Sequence, residues 1–136
     1  GDNTTDADIS PAVKTFDKGA RIFLKKVPDP QRFGAPVFDK KDPSKVVGII
    51  EKPKNPENNF AVVGLYIFDH TVFGRIRKLK PSARGELEVT DLNNSYIADG
   101  QLKSAELKGF WSDAGTFESL FRSNEFWAKK ALEKSA

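Results

Sequence analysis

The sequence predicts an α/β architecture, helices layered on a sheet, rather than a helical bundle or a β-sandwich. Strand-like and helix-like segments alternate along the chain, separated by clusters of Pro, Gly, Asn and Asp. With 136 residues, 38% hydrophobic and 30% charged, the chain suits one soluble core and excludes both disorder and two full domains.

Ser10 followed by Pro11 reads as an N-cap and a first-turn proline; Val13 and Phe16 give this short helix an apolar face, and Gly19 stops it. Residues 20–27 form the first expected strand, with Ile22 and Leu24 on one face and Phe23 on the other. Pro28-Asp29-Pro30 ends it with turn chemistry. Residues 33–39 form a second strand, in which Pro36 lacks a ladder donor and so argues for an edge or a bulge. Residues 45–51 form a third, apolar on both faces and therefore expected in a central position. A polar loop over 53–59 leads to 60–68, the most apolar strand candidate, whose Gly64 suits close approach of a backbone or ligand, or simple packing.

Asp69 is placed to cap a helix in which Val72, Phe73, Ile76 and Leu79 recur at helical spacing. Arg75, Arg77, Lys78 and Lys80 fall outside that stripe and read as a solvated face, since no aromatic residues interleave them as a nucleic-acid surface would require. Residues 90–99 form the next helix, stopped by Gly100, and 102–107 a further strand. Thr116 then caps a last amphipathic helix carrying Phe117, Leu120, Phe121, Asn124, Trp127, Ala131 and Leu132 on one side, a stripe that favours burial in the core over partner binding.

Composition removes whole classes of chemistry. With no cysteine there is no disulfide, thiolate nucleophile or Cys-ligated metal, and the single histidine, His70, rules out a site built from two imidazoles of one chain. Apolar runs are only a few residues long, so no membrane span is expected. Residues 1–10 are acidic and polar, unlike a signal peptide, which makes the cytoplasm the expected compartment. A net charge of +3 argues little for nucleic acid, which needs clustered Lys and Arg.

Four short segments say more. Gly1-Asp2-Asn3 sets a carboxylate beside a glycine, alone a common surface turn. Glu51-Lys52-Pro53 ends an apolar strand, so a carboxylate and an amine project where open α/β sheets place ligands; alone, a surface ion pair accounts for it slightly better. Within 81–91, Arg84 beside Gly85 suits an oxyanion or phosphate, although a charged helix start gives a similar string. Asp113, in the run from Trp111 to Thr116, sits in a turn before a helix, where an isolated aspartate is more often a turn or capping residue.

In this order and spacing the segments closely resemble the sugar-1-phosphate nucleotidylyltransferases, above all the glucose-1-phosphate thymidylyltransferases. The resemblance runs through nearly the whole chain. It also includes Asp29-Pro30-Gln31-Arg32-Phe33-Gly34, the run from Asn59 to Tyr66, and Lys80-Pro81-Ser82-Ala83-Arg84-Gly85-Glu86-Leu87-Glu88 with Thr90-Asp91. It implies the mixed-sheet portion of a nucleotide-diphospho-sugar transferase (Rossmann-like) fold, lacking the N-terminal nucleotide-binding lobe, with 1–136 as one partial domain. It implies Mg2+-dependent transfer of a nucleotidyl group from a nucleoside triphosphate, dTTP, to a sugar 1-phosphate, glucose 1-phosphate, with release of pyrophosphate. By the same resemblance Asp2 and Asp113 hold Mg2+, and Lys52 and Arg84 bind the sugar phosphate as the catalytic pair. Gly34, Glu51, Val62, Gly64 and Tyr66 line the hexose pocket, and Glu86 lies near the sugar. No protein nucleophile is needed, so the lack of cysteine costs this chemistry nothing. The partners implied are the two substrates and further copies of the chain, without nucleic acid or membrane.

Ala114 stands where the family usually has Thr, Val63 where it often has Thr and Phe33 where it commonly has Tyr. The last two are expected to alter the sugar pocket and so to bear on which hexose it takes. The family's nucleotide-binding signature, Gly-Gly-x-Gly-Thr-Arg-Leu, does not occur in these residues, so the expectation is a C-terminal portion without turnover of its own. Two rival readings are a non-catalytic sugar-phosphate-binding or oligomerisation module and a uridylyl or guanylyl transferase portion. A nucleic-acid module stands a distant third.

Overall fold

A computed structural model describes residues 2–135. Strands β2 (Ala20–Lys26), β3 (Gly34–Phe38), β4 (Val46–Glu51), β5 (Phe60–Phe68) and β6 (Leu102–Glu106) form one sheet in the order β4-β3-β5-β2-β6. β2 and β6 run parallel and the other neighbours antiparallel, so the sheet is mixed. A separate two-stranded ribbon joins β1 (Thr4–Thr5) to β7 (Trp111–Ser112), pairing Thr4 with Ser112 and Thr5 with Trp111. Neither ribbon strand nor the 3-10 turn Pro30–Arg32 carries a period that sequence reading detects.

Alternation along the strands gives the sheet two apolar faces. Ile22, Leu24, Ile49 and Val62 pack together on one, with Ile97 of helix α3 (Val89–Ala98) against them. Phe23, Val63 and Leu107 pack on the other, covered by Ile9 and Ala12 at helix α1 (Ser10–Lys14). The expected split of Ile22 and Leu24 from Phe23 is therefore present. Ile22 is fully buried, a burial worth about 2 kcal/mol by transfer data. Beyond β5, Asp69 ties three elements. It accepts from the Gly19 amide at 2.7 Å, from the Thr71 amide and hydroxyl at 3.0 and 2.5 Å, and from the Tyr96 hydroxyl at 3.2 Å.

Five expectations need correction. α1 is preceded by Ile9 rather than capped by Ser10, whose amide bonds Asp8, and Val13 points to solvent. Pro36 lies on an interior strand rather than an edge, and the alternative of a bulge is met just beyond it, where the β3–β4 register shifts between Val37 and Phe38. β3 and β5 share only the Gly34–Val62 bridge, and the Pro36 carbonyl accepts from Asn58 at 2.8 Å, so no ladder needs the missing donor. β4 is an edge strand, not a central one. Asn94 of α3 bonds both the amide and the carbonyl of Ile49 at 2.9 Å, which satisfies the free edge from outside the sheet. Helix α2 (Val72–Ile76) is a little over one turn, and Phe73 and Ile76 of its expected stripe are exposed.

The largest departure is helix α4 (Phe117–Ser135). Its start matches expectation: the Thr116 hydroxyl accepts from the Ser119 amide at 3.1 Å, and the Ser119 hydroxyl accepts from the Thr116 amide at 3.0 Å. Its inward side is made by Ser119, Ser123 and Phe126, the last stacked on Phe110 with ring centroids 4.0 Å apart. Trp127 donates to Thr4 at 2.6 Å and Lys130 pairs with Asp6 at 2.5 Å. Phe117, Phe121 and Leu132 face outward, with Phe117 95% exposed. Amphipathic spacing located the apolar side but not what it faces.

Candidate functional site

Cross-strand register builds a cleft where three strands meet. Gly34 pairs with Glu51 on β4 and with Val62 on β5, so one row crosses the sheet from the end of β4 through the start of β3. Val62, Gly64 and Tyr66 alternate along β5 on the side that faces the cleft, whose volume is about 280 Å³. The first turns of α3 form another wall through Thr90 and Asn93, and the β1–β7 ribbon brings in Asp2, Asn3, Trp111 and Asp113. Gly1 lies outside the described residues.

Glu51 is held from one side. The Thr90 hydroxyl donates to its Oε2 at 2.5 Å, which orients the carboxylate. Gly34 makes room for this pair: a Cβ there would sit 3.4 Å from Glu51 Oε2 and 3.2 Å from Ile49 Cγ2. Lys52 follows in the left-handed region, with φ of 45°, and its amide bonds the Phe33 carbonyl at 3.0 Å. That turn, ahead of Pro53, presents the exposed Lys52 ammonium at the cleft without an ion-pair partner among the described residues. Tyr66 stays a neutral hydroxyl, because burial first and the Glu51 carboxylate second push it up to about 12.

The ribbon brings two carboxylates from opposite ends of the chain to one place. A Cβ on Gly115 would lie 2.9 Å from Asp2 Oδ2 and 3.3 Å from Asp113 Oδ2, so both oxygens flank the same point. Asn3 locks this end: its Oδ1 accepts from the Gly64 amide at 3.1 Å and from the Trp111 indole at 2.8 Å, and its Nδ2 donates to Asp2 at 3.2 Å. A Cβ at Gly64 would collide with that Asn3 amide, so the close approach at Gly64 is made by a protein side chain. Arg32 bridges two acids, donating to Asp113 and to Asp29, each at 2.9 Å. Asp29 first, and Asp113 after it, raise the guanidinium above its ordinary value.

Eight of the ten residues that the sequence singles out therefore line one cleft: Gly34, Glu51, Lys52, Val62, Gly64, Tyr66, Asp2 and Asp113. Arg84 and Glu86 do not. In the loop before α3, Glu88 grips the Arg84 guanidinium through both carboxylate oxygens at 2.9 and 3.0 Å, and Glu86 stands 3.6 Å away. Arg84 first, then the Ser82 hydroxyl at 2.8 Å, hold the Glu88 carboxyl below its usual range. Sequence reasoning gave no role to Asn3, Arg32, Thr90, Asn93 or Trp111, although all five line the cleft. Thr90 and Asn93 did leave a signal, as two polar residues three apart on the side of a helix that also carries Leu92 and Tyr96 into the core.

Residues 1–130 match the family described as nucleotidyl transferase. A low-salt glycan biosynthesis nucleotidyltransferase of Haloferax volcanii is 39% identical over 139 residues, a match covering 98% of this chain and 38% of that protein. A glucose-1-phosphate thymidylyltransferase of Neisseria gonorrhoeae is 45% identical over 117 residues, covering 85% of this chain and 39% of the relative. Among solved structures, a Bacillus anthracis protein assigned as a glucose-1-phosphate thymidylyltransferase, in complex with sucrose, superposes with a TM-score of 0.83 at 46% identity, covering 92% of this chain and 51% of that one. UDP-glucose pyrophosphorylase complexed with UDP-glucose shares the fold, with a TM-score of 0.76 at 19% identity over 90% of this chain and 48% of that one. The chain thus spans under two fifths of the curated relatives it matches.

Proposed function

The chain belongs to the nucleotidyl transferase family, and from that premise we propose that it supplies the sugar-phosphate side of an active site joining a nucleoside triphosphate to a sugar 1-phosphate. The observation that carries the reading is the meeting of Glu51, Lys52, Asp2 and Asp113 in one polar cleft. Glucose 1-phosphate is the proposed acceptor and dTTP the proposed donor, supported by relatives that carry the thymidylyltransferase name. Residues 1–136 act as one partial domain of that enzyme.

In this reading Lys52 holds the phosphate of the sugar as a point charge, and Arg84 joins it after exchanging its grip on Glu88 for the anion. Glu51 accepts from a ring hydroxyl through Oε1, since Oε2 is engaged by Thr90. Tyr66 donates from its neutral hydroxyl, and Glu86 lies at the loop edge of the sugar. Gly34, Val62 and Gly64 form the surface against which the ring rests. With the sugar so oriented, a phosphate oxygen attacks the α-phosphorus in line and pyrophosphate leaves.

The donor set fits Mg2+. Asp2 and Asp113 bring two hard oxygens to flank one point, one of them shared with the Arg32 guanidinium, and an ion held there would take its remaining ligands from phosphates and water. When bound, the ion supplies neutralisation of charge at the reacting phosphates. A cytoplasmic location belongs to the same reading; none of the described helices is long and apolar enough to cross a membrane.

Calorimetric titration of the chain with glucose 1-phosphate tests the reading. Saturable binding that falls about tenfold or more in Lys52→Ala is expected, from loss of a charge-assisted contact; no binding by the unaltered chain would overturn it. The chain alone is expected to release no pyrophosphate from dTTP and glucose 1-phosphate. A second reading, assembly with further copies, draws on the outward apolar side of α4. If it holds, sedimentation shows a concentration-dependent oligomer that Phe117→Ser with Phe121→Ser disperses.

A further inference from the structure

One polar group in the cleft wall is unaccounted for. Asn93 is 1% exposed and lines the cleft, yet its Oδ1 has no hydrogen-bond partner among the described residues. It is the only buried side-chain polar atom left so among them. Its neighbour Asn94 shows the contrast, using both ends of its amide on the Ile49 backbone. Leaving a buried amide acceptor unpaired forfeits its hydration with nothing in return, so a fold retains one where something else completes it.

What completes it follows from the chemistry around it. Asn93 stands one turn beyond Thr90, whose hydroxyl is spent on Glu51. The nearby acids can only accept, and Lys52 can only donate. Of the cleft side chains with a free hydrogen-bonding end, only the Asn93 carboxamide and the Tyr66 hydroxyl can both accept and donate, the pair that a sugar hydroxyl matches. The phosphate of a sugar 1-phosphate, largely a dianion at neutral pH, only accepts. We propose that Asn93 is a specificity-determining residue, whose carboxamide oxygen accepts a hydrogen bond from a ring hydroxyl of the sugar. The inference rests on the sugar-phosphate reading above and adds to it a contact that the sequence motifs did not contain.

The experiment is calorimetry on the chain and its Asn93→Leu variant, with glucose 1-phosphate, its monodeoxy analogues and inorganic phosphate as ligands. Asn93→Leu is expected to weaken glucose 1-phosphate by about tenfold to a hundredfold, the range for one buried hydrogen bond. Inorganic phosphate should bind both proteins equally. One monodeoxy analogue should lose a similar factor against the unaltered chain and lose nothing further against the variant, the signature of a shared contact. Unchanged affinity for glucose 1-phosphate in the variant would overturn the proposal, and a buried water would then be the partner of Oδ1. Equal losses for sugar phosphate and inorganic phosphate would also overturn it, since they mark a general disturbance of the cleft. Should Asn93→Leu fail to fold, Asn93→Ser is read by the same criteria. If the unaltered chain binds neither ligand, the sugar-phosphate reading itself fails, a result distinct from an insensitive variant.

Discussion

Arg32 shows how a side chain to which the sequence assigns no role bears on one that has a role. Its guanidinium occupies an oxygen of Asp113, the same atom that flanks Gly115 with Asp2. A fixed positive charge there opposes any second cation, so Arg32→Gln is expected to tighten Mn2+ binding to the chain by about threefold to tenfold, measured by the loss of free-ion electron paramagnetic resonance signal. Asp113→Ala should abolish that binding; an Arg32→Gln chain that binds Mn2+ more weakly would assign Arg32 a purely structural part. Gly34→Ala tests the opposite wall. A methyl group 3.2 Å from Ile49 Cγ2 makes that side chain give by a few tenths of an ångström, and it closes to 3.4 Å from the Glu51 carboxylate that Thr90 orients. Affinity for glucose 1-phosphate should fall severalfold, while stability in urea changes by about 1 kcal/mol, the scale of a small overpacking.

At the level of elements, helix α4 separates two costs that its sequence does not distinguish. Phe117→Ser and Phe121→Ser remove large apolar groups that touch solvent, so each is expected to change unfolding free energy by no more than about 0.5 kcal/mol. Ser123→Leu adds three carbons on the buried side and should cost about 1–3 kcal/mol. The junction of β5, α2 and α3 depends on pH through Asp69, which hydrogen bonds, that of the Thr71 hydroxyl foremost, lower to about 2. Because the folded value lies below the ordinary one of about 3.9, the stabilisation is complete above that pH and is lost as pH falls toward 2. Asp69→Asn should therefore cost about 1–2 kcal/mol at pH 7, and the gap from the unaltered chain should narrow to a small fraction by pH 2, read by urea unfolding at both. A gap that stays constant with pH would remove Asp69 from the acid limb.

Over the whole molecule, what could be read in advance divides along locality. The bounds of β5 matched the expected 60–68, because an apolar run between polar loops states both its extent and its period. The lining of the cleft by Glu51 and Lys52 was legible because the two sit at a strand end. What escaped depends on residues distant in sequence. The edge position of β4 rests on Asn94, the engagement of Arg84 on a specific pairing with Glu88, and the outward turn of α4 on Ser119 and Ser123 fitting the body better than Phe117 and Phe121.

The β1–β7 ribbon links residues near the start of the chain to residues near its end by two cross-strand pairs, with the Asn3–Trp111 and Asp6–Phe110 hydrogen bonds beside them. Joining segments so far apart spends chain entropy that grows with the intervening length, and the contacts that return it form only once both segments are in place. The ribbon is thus expected to be among the last parts to form and the first to open, with Asp2 and Asp113 separating each time it does. A divalent ion captured between them would act as a clasp, favouring the closed ribbon by mass action. Hydrogen exchange should then slow on adding Mg2+ at the amides of Thr4, Thr5, Trp111 and Ser112, and stay unchanged in the middle of β5.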